Sequence, residues 1–130
     1  MIYVDTSALL KLVRDEAESR ALRGYLAADG TPGLLSSALI AIEARRETMR
    51  SNPARLPRID MLLATVTQVE ISAAVVESAG RLPDPMLRSL DAIHLATALL
   101  VREELSVLLS YDERLLDAAA AHGIPTAAPV

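Results

Sequence analysis

Residues 1–13 read MIYVDTSALLKLV, and this stretch decides the fold class. The apolar run at residues 2–4 has the length of a buried strand, and an apolar pattern with helical spacing follows almost at once over residues 8–13. Asp5 stands at the corner between the two. An acid at that corner is either the cap of the following helix or part of a site, and this stretch alone leaves both interpretations open.

The same alternation of strand and helix continues along the chain. The predicted strands are residues 2–4, 34–36, 69–72, 107–109 and 124–127, and the predicted helices are residues 7–13, 16–28, 38–49, 54–66, 73–81, 87–103 and 112–121. Strands separated by helices predict right-handed crossovers and a mostly parallel central sheet with helices on both faces. We therefore expect a three-layer α/β fold in one domain over residues 1–130, with a turn at residues 30–33.

The composition limits where this protein works and what it binds. Hydrophobic residues make up 52% and the mean hydropathy is +0.30, but charged residues interrupt every apolar run before it is long enough for a membrane span. The sequence has no cysteine and begins with a strand instead of a basic leader, so we expect a cytoplasmic protein and no membrane partner. A net charge of −4 and the absence of Phe and Trp exclude bulk electrostatic binding and aromatic stacking as the main modes of nucleic-acid binding.

Two acids follow predicted strands. Open parallel sheets bind ligands outside the carboxyl ends of their strands, and Asp5 and Asp112 both stand at such ends. Each also has a structural interpretation. Asp5 could simply cap its helix, and Ser110 with Glu113 matches a capping box that would leave Asp112 as a favourable first-turn acid.

Two further acids lie on predicted helices. Glu43 lies at the edge of the apolar face that contains Leu39 and Ile42, so it points inward or into a groove, unless it reaches the surface to pair with Arg46 or Arg50.

Asp91 lies in LRSLDAIHLATALL, which is apolar nearly all round and should be a buried helix. A carboxylate there needs a cation or several hydrogen bonds, although the helix dipole could give it a structural role. A histidine such as His94 in this setting is more often buried and structural than catalytic.

Together the four acids predict a metal site. Oxygen ligands without cysteine or a histidine pair suit hard cations such as Mg²⁺ or Mn²⁺. Without a cation, carboxylates brought together would repel each other and favour protonation of one of them. With one or two ions, the same cluster is suited to phosphodiester hydrolysis.

Four blocks in order carry a resemblance to a known family: YVDTSALLKL, IEARR, SLDAIHLATAL and LLSYDERLLDAA. Over essentially its whole length the chain resembles the PIN-domain ribonuclease toxins of type II toxin–antitoxin systems, the VapC-like family. The resemblance implies a PIN-like fold, endoribonuclease activity on transfer or ribosomal RNA, a cognate antitoxin that inhibits it, and a homodimer.

The resemblance also implies roles for individual residues. Asp5, Glu43, Asp91 and Asp112 would gather at the carboxyl edge of the sheet and hold Mg²⁺ or Mn²⁺. Asp5 and Asp91 would be direct ligands, and Glu43 and Asp112 would bind directly or through water. The hydroxyls of Thr6 and Ser110 would support the site by hydrogen bonds.

Two surfaces are candidates for binding partners. Five arginines are close in sequence and either contact RNA phosphates or form a solvated helix face paired with Glu43 and Glu47. They are Arg45, Arg46, Arg50, Arg55 and Arg58. The first two helices carry apolar residues that could form a groove for an antitoxin helix. These are Leu9, Leu12, Val13, Leu22 and Leu26.

Two other classes of protein are excluded by inspection of the sequence. A haloacid-dehalogenase-type phosphatase needs a second Asp two residues after the first, where this chain has Ser7. A response-regulator receiver needs a paired acid and a late lysine, and the only lysine is Lys11. A PIN-like module that binds or scaffolds without cleaving RNA remains open as the alternative function.

Overall fold

The computed structural model describes residues 1–28, 30 and 33–130. The predicted turn at residues 30–33 lies partly outside the described residues. The strands of the described chain are β1 (Ile2–Val4), β2 (Leu34–Ser37), β3 (Val66–Val69), β4 (Val107–Leu109) and β5 (Thr126–Ala127).

All five strands pair in parallel in the order β3-β2-β1-β4-β5. β1 is central, with Ile2 opposite Leu34 of β2 on one side and Val107 of β4 on the other. The chain builds outward from β1 through β2 to β3, and then returns to place β4 on the other side of β1. The strand order therefore reverses at β1 and β4, whose carboxyl ends form the switch point where such sheets bind ligands.

Helices cover both faces of this sheet, which confirms the predicted three-layer α/β fold. Within the described residues they are α1 (Thr6–Lys11), α2 (Ser19–Ala28), α3 (Leu39–Ser51), α4 (Leu56–Leu63), α5 (Ala73–Gly80), α6 (Ser89–Leu100) and α7 (Glu113–Ala121). Short 3₁₀ turns at Pro53–Arg55 and Arg102–Glu104 precede α4 and follow α6. No helix in this part of the chain is long and apolar enough to span a bilayer.

Alternation along β1 divides the core into two layers. Ile2 and Val4 pack on one face of the sheet with residues of α1 to α4, such as Leu9. Tyr3 points to the other face and packs with Leu95 of α6 and with α7. Successive strand residues alternate between the two faces of the sheet, and helices cover both faces. All three residues of this short strand are therefore buried.

The largest error in the predicted elements lies between α3 and α5. The helix predicted at residues 54–66 ends at Leu63, and the strand predicted at residues 69–72 instead spans Val66–Val69. The predicted helix was too long because Val66 of β3 is buried in the same core cluster as residues of α4, so the helical apolar pattern continues as far as this residue. Ser72, predicted in the strand, is the N-cap of α5, where its hydroxyl accepts a hydrogen bond from the Val75 N–H.

Most of the predicted helices are longer than the observed ones. The helix predicted at residues 7–13 is α1, which starts one residue earlier because Asp5 caps it and ends at Lys11. The helix predicted at residues 16–28 begins only at Ser19, whose buried hydroxyl holds the preceding turn through the Arg14 carbonyl and the Glu16 N–H. Of the helix predicted at residues 87–103, only Ser89–Leu100 is α-helical, and a 3₁₀ turn follows it. The edge strand predicted at residues 124–127 is also shorter and spans only Thr126–Ala127.

Candidate active site

Asp5 lies just beyond β1 and is the N-cap of α1. Its Oδ1 accepts hydrogen bonds from the Ala8 N–H at 3.0 Å and the Ser7 hydroxyl at 2.7 Å, and its Oδ2 accepts one from the Ser110 hydroxyl at 2.6 Å. Burial, which leaves the residue 4% exposed, raises the pKa of Asp5 although these hydrogen bonds oppose the rise. The interpretation of Asp5 as a helix cap is therefore confirmed, and its carboxylate also lines an open cavity.

Asp112 lies beyond β4 in the equivalent position. Its Oδ1 accepts a hydrogen bond from the Arg114 N–H at 2.9 Å, so Asp112 is the N-cap of α7. The capping box predicted from Ser110 and Glu113 is therefore wrong. The Ser110 hydroxyl instead donates to Asp5 and accepts from the Asp112 N–H at 3.0 Å, which joins the ends of β1 and β4.

Glu43 is half-buried on α3 and faces the same edge of the sheet. Its Oε1 contacts the Thr6 hydroxyl at 2.8 Å and the Nε2 of His94 at 2.7 Å. The predicted alternative, in which Glu43 pairs with Arg46 or Arg50, is wrong. Burial alone would raise the pKa of Glu43, but the hydrogen bonds from His94 and Thr6 outweigh it, so the pKa is lowered.

Asp91 lies in the first turn of α6, where its side chain is 18% exposed. Burial raises the pKa of Asp91, and the nearby charge of Asp112 adds to the rise. The charge of Arg88, just before α6, opposes this rise in the pKa of Asp91, with Nε 3.6 Å from Asp91 Oδ2. The same guanidinium also reaches Asp112, with Nη2 3.9 Å from Oδ2. Asp91 and Asp112 are therefore close enough to interact electrostatically, as expected for acids that share a site.

All four predicted acids line one open cavity of about 480 Å³. They come from four separate parts of the fold: the ends of β1 and β4, and the helices α3 and α6. The rest of the lining described is formed by hydroxyl, apolar, basic and other side chains, namely Thr6, Ser7, Leu10, Leu39, Ile42, Arg46, Glu47, Arg50, Leu90 and His94. Ser110 is fully buried and contacts the site from behind, through Asp5.

The side chains fit a hard cation by their chemistry, although they do not form a closed cage. Among the described residues, no three Asp, Glu or His side chains are arranged closely enough to hold an ion by themselves. Mg²⁺ commonly uses one or two carboxylates and completes its coordination with water and phosphate oxygens. An open cavity with oxygen ligands, including an Asp5 Oδ2 that accepts a single protein hydrogen bond, suits that mode of binding.

The predicted arginine cluster divides into two groups. Arg46 and Arg50 line the cavity, whereas Arg45 pairs with Asp60 on α4 at 2.9 Å. Arg50 also pairs with Glu47 at 2.9 Å, so the predicted solvated helix face is correct for part of the cluster. Arg55 and Arg58 belong to the 3₁₀ turn and α4 and are not among the residues that line the cavity.

Three residues behind the acids were not predicted as parts of the site. Ser7 donates to Asp5 and accepts from the Tyr111 N–H at 2.9 Å. His94 is 2% exposed and contacts Glu43, and the hydroxyl of Tyr3 contacts the other nitrogen of the His94 ring at 2.8 Å. His94 lies one helical turn after Asp91, which was a signal that it lies near the site but not for these contacts, and the sequence contains no local signal for Tyr3.

The fold and the cavity define the class of this protein: it is a small doubly wound α/β protein with an acidic cleft at the switch point of its sheet. The family model of the PIN domain matches residues 2–121. The chain therefore belongs to the PIN-domain family, and the resemblance seen in the sequence is confirmed.

Individual relatives agree with this assignment. The chain is 42% identical over 131 residues to ribonuclease VapC35 of Mycobacterium tuberculosis, covering 99% of this chain and 97% of the relative. It is 38% identical to ribonuclease VapC47 of the same species, with the same coverage. A solved toxin–antitoxin complex from Klebsiella pneumoniae contains a chain with a TM-score of 0.74 and 26% identity, covering 100% of this chain and 98% of that chain.

Proposed function

We propose that this protein is an endoribonuclease toxin that hydrolyses phosphodiester bonds of a specific transfer or ribosomal RNA, and that a cognate antitoxin inhibits it. The observation that carries the proposal is that Asp5, Glu43, Asp91 and Asp112 line one cavity at the switch point of a PIN-domain sheet. Relatives that are named ribonucleases over nearly their full length support the activity.

The proposed cofactor is Mg²⁺ or Mn²⁺. Asp5 and Asp91 are the proposed direct ligands, and Glu43 and Asp112 bind directly or through water. When bound, the ion supplies Lewis acidity toward a water molecule and toward the leaving oxygen of the phosphodiester. In the overall reaction the water oxygen forms a bond to phosphorus, one P–O ester bond breaks, and the leaving oxygen takes up a proton.

The residues around the acids orient them for this chemistry. The hydroxyls of Ser7 and Ser110 and the Ala8 N–H hold the Asp5 carboxylate in one rotamer, as described above. The hydroxyl of Thr6 supports Glu43 in the same way. Fixed carboxylates lose little freedom when a cation and substrate bind, which favours positioning of the scissile phosphate.

Arg46 and Arg50 are the proposed contacts for RNA phosphates. Both are exposed residues that line the cavity, and α3 places them one and two turns beyond Glu43. Within the described residues Arg46 has no ion pair, so its guanidinium is available to a phosphate. These local charges compensate for the net charge of −4, which repels RNA at long range.

The proposed antitoxin binds across the cavity, where Ile42 and Leu90 are 61% and 49% exposed. The groove predicted on the first two helices has a weaker basis, because Leu9, Val13 and Leu22 are buried in the core instead of exposed. The homodimer implied by the family resemblance is part of the proposal, and light scattering of the purified protein tests it.

The test of the function is cleavage of total cellular RNA by antitoxin-free protein in Mg²⁺, Mn²⁺ or EDTA. Asp91→Asn is purified identically to reveal contaminating nuclease. Asp60→Asn is the matched control, because Asp60 is an exposed acid on α4 that is not among the cavity residues. We expect discrete fragments from the wild type and Asp60→Asn, only with metal, and a loss of more than about a hundredfold in Asp91→Asn.

Sequencing the fragment ends would then identify the target RNA. Equal RNA patterns from the wild type and Asp91→Asn, with the antitoxin proven absent by mass spectrometry, would refute the nuclease. That result would favour the alternative, a PIN-like module that binds without cleaving.

A further inference from the structure

A buried chain of hydrogen bonds runs from the centre of the sheet to Glu43. The Ser37 N–H donates to the Tyr3 hydroxyl at 3.2 Å, that hydroxyl contacts His94 Nδ1 at 2.8 Å, and His94 Nε2 contacts Glu43 Oε1 at 2.7 Å. Tyr3 is 0% exposed and His94 is 2% exposed. The two rings meet edge to face, with centroids 5.9 Å apart and planes at 89°.

The donors and acceptors in this chain can be assigned from the contacts. A backbone N–H can only donate, so the Tyr3 oxygen accepts from Ser37 and its own proton remains free to donate. His94 Nδ1 lies 2.8 Å from the Tyr3 oxygen and can accept this proton, and the buried Ser36 hydroxyl is the other polar side chain close to that oxygen. Burial also raises the pKa of Tyr3, which keeps the hydroxyl protonated.

The direction of the second contact follows from the first. If Tyr3 donates to Nδ1, the ring proton of His94 is on Nε2 and donates to the Glu43 carboxylate. Oε1 of Glu43 then accepts two hydrogen bonds, from His94 and Thr6. With Oε1 held from behind, the second carboxylate oxygen is directed away from these two donors.

Glu43 needs such support because of its neighbours. Its side chain is long and half-buried, and Arg46 and Arg50 line the same cavity. A glutamate held by nothing else would rotate to pair with one of these arginines, as Glu47 does with Arg50. Such a pair would turn the Glu43 carboxylate away from the position that it takes beside Thr6 and His94.

We propose that Tyr3 and His94 are positioning residues: a buried relay from β1 through α6 that fixes the histidine tautomer and holds Glu43 in the cavity, apart from the arginines. The catalytic consequence rests on the proposed nuclease function, whereas the relay itself does not. The experiment therefore has one part that needs no cleavage and one part that does.

The first part is NMR of protein with ¹⁵N-labelled histidine rings. The sequence has two histidines, and His122→Gln removes the second, which contacts Asp84 away from the cavity. We expect His94 to show an unprotonated Nδ1 and a protonated Nε2 in the metal-free wild type. In Tyr3→Phe, which loses only the hydroxyl, we expect the Nδ1 resonance to shift. A protonated Nδ1 in the wild type, or no shift in Tyr3→Phe, would overturn the relay.

The second part compares two replacements of His94. His94→Gln keeps an amide N–H that can reach Glu43, and His94→Leu removes the donor while it keeps an apolar side chain. On an oligoribonucleotide that spans the cleavage site, we expect His94→Leu to lower kcat by about tenfold to a hundredfold with little change in KM. We expect His94→Gln to recover most of that loss, which a packing role of the ring would not explain.

Mn²⁺ binding, measured by the loss of the free-ion EPR signal, follows the same variants without RNA. We expect weaker binding in His94→Leu than in His94→Gln, with circular dichroism confirming that each variant is folded. Equal Mn²⁺ affinity and equal kcat in His94→Leu and the wild type would refute the positioning role. If the wild type cleaves no RNA at all, the nuclease proposal fails, and the NMR and Mn²⁺ results still decide the relay.

Discussion

At the scale of the residue, the cavity holds two carboxylates, those of Asp5 and Asp91, in surroundings that disfavour their ionisation. Asp5 and Asp91 both have raised pKa values, first because of burial, and each lies near another acid of the cavity. Glu43 differs because His94 and Thr6 donate to it. The metal-free protein therefore carries an electrostatic cost at Asp5 and Asp91 that a bound cation would relieve.

This cost predicts that Asp91→Asn stabilises the metal-free protein. The folded-state pKa of Asp91 is raised, so the contribution of this carboxyl to stability is lost as the pH rises above its ordinary value of 3.8. At pH 7 in EDTA we expect a higher urea midpoint for Asp91→Asn than for the wild type. Below pH 3.8 the difference should disappear, because the carboxyl is then protonated in both the folded and the unfolded chain.

Asp60→Asn is again the control, since it breaks only an exposed pair with Arg45, which contributes about 0–1 kcal/mol. Its urea midpoint should change little at either pH. Addition of Mg²⁺ should raise the midpoint of the wild type more than that of Asp91→Asn. A lower midpoint for Asp91→Asn at pH 7 in EDTA would contradict this account of Asp91.

At the scale of the element, the site is coupled to the starts of helices. Asp5 caps α1 and Asp112 caps α7, so two site acids also terminate strands of the sheet and start helices. Ser110 joins them, since its hydroxyl contacts the Asp5 carboxylate and the Asp112 N–H. A substitution at either acid therefore mixes a structural effect with a chemical one, unless the variant keeps the cap.

Asparagine separates the two roles of Asp112, because it caps helices about as well as aspartate but carries no charge. We expect Asp112→Asn to keep the stability of the wild type within a few tenths of a kcal/mol and to lose more than about tenfold in cleavage. Asp112→Ala should lose the same activity and about 1 kcal/mol of stability. Urea unfolding and the RNA assay measure the two effects separately.

The matched control for this pair is Ser72→Ala, which removes the N-cap of α5, away from the cavity. It should cost about 1 kcal/mol of stability and leave cleavage unchanged. If Asp112→Asn cleaves RNA as well as the wild type, Asp112 is a cap only. If it is as unstable as Asp112→Ala, the N-cap role of Asp112 is wrong.

The elements that could be predicted from the sequence are those whose ends carry a local signal. β1 and β4 are short apolar runs ended by an acid or a serine, so their bounds were predicted correctly. The boundary between α4 and β3 was missed because the apolar pattern is continuous there, and pairing of β3 with β2 decides it through contacts distant in sequence. The capping box at Ser110 failed for a similar reason, since the partner of its hydroxyl is Asp5, at the other end of the chain.

At the scale of the whole molecule, the strand order brings the site together. The carboxyl ends of β1 and β4 are neighbours only because the chain crosses back over β1 after β3. That the four acids gather at one cavity could be predicted from the sequence, because each is a charge in an apolar or strand-end setting. The relay of Tyr3 and His94 could not, because both residues fit a hydrophobic layer, and only the packing of α6 on β1 brings their polar atoms together.

The net charge of the protein predicts how its RNA affinity depends on salt. Because this charge is −4, the proposed RNA affinity depends on a few local arginines. Each phosphate contact to single-stranded RNA contributes about −0.7 to the slope of log K against log salt concentration. Contacts from Arg46 and Arg50 should therefore give a slope of about −1.4, and Arg46→Ala should reduce it to about −0.7.

The measurement is the Kd for the target oligoribonucleotide over a series of KCl concentrations at fixed Mg²⁺, in the Asp91→Asn background so that the RNA stays intact. Arg45→Ala is the matched control, because Arg45 is the chain neighbour of Arg46 but pairs with Asp60, away from the cavity. It should keep the slope of the parent protein. A slope steeper than about −4, or equal slopes for Arg46→Ala and Arg45→Ala, would mean that the RNA follows a broad basic surface instead of the cavity. A shallow slope that only Arg46→Ala reduces would fit a protein that recognises its RNA at the acidic site itself, against the repulsion of its net charge.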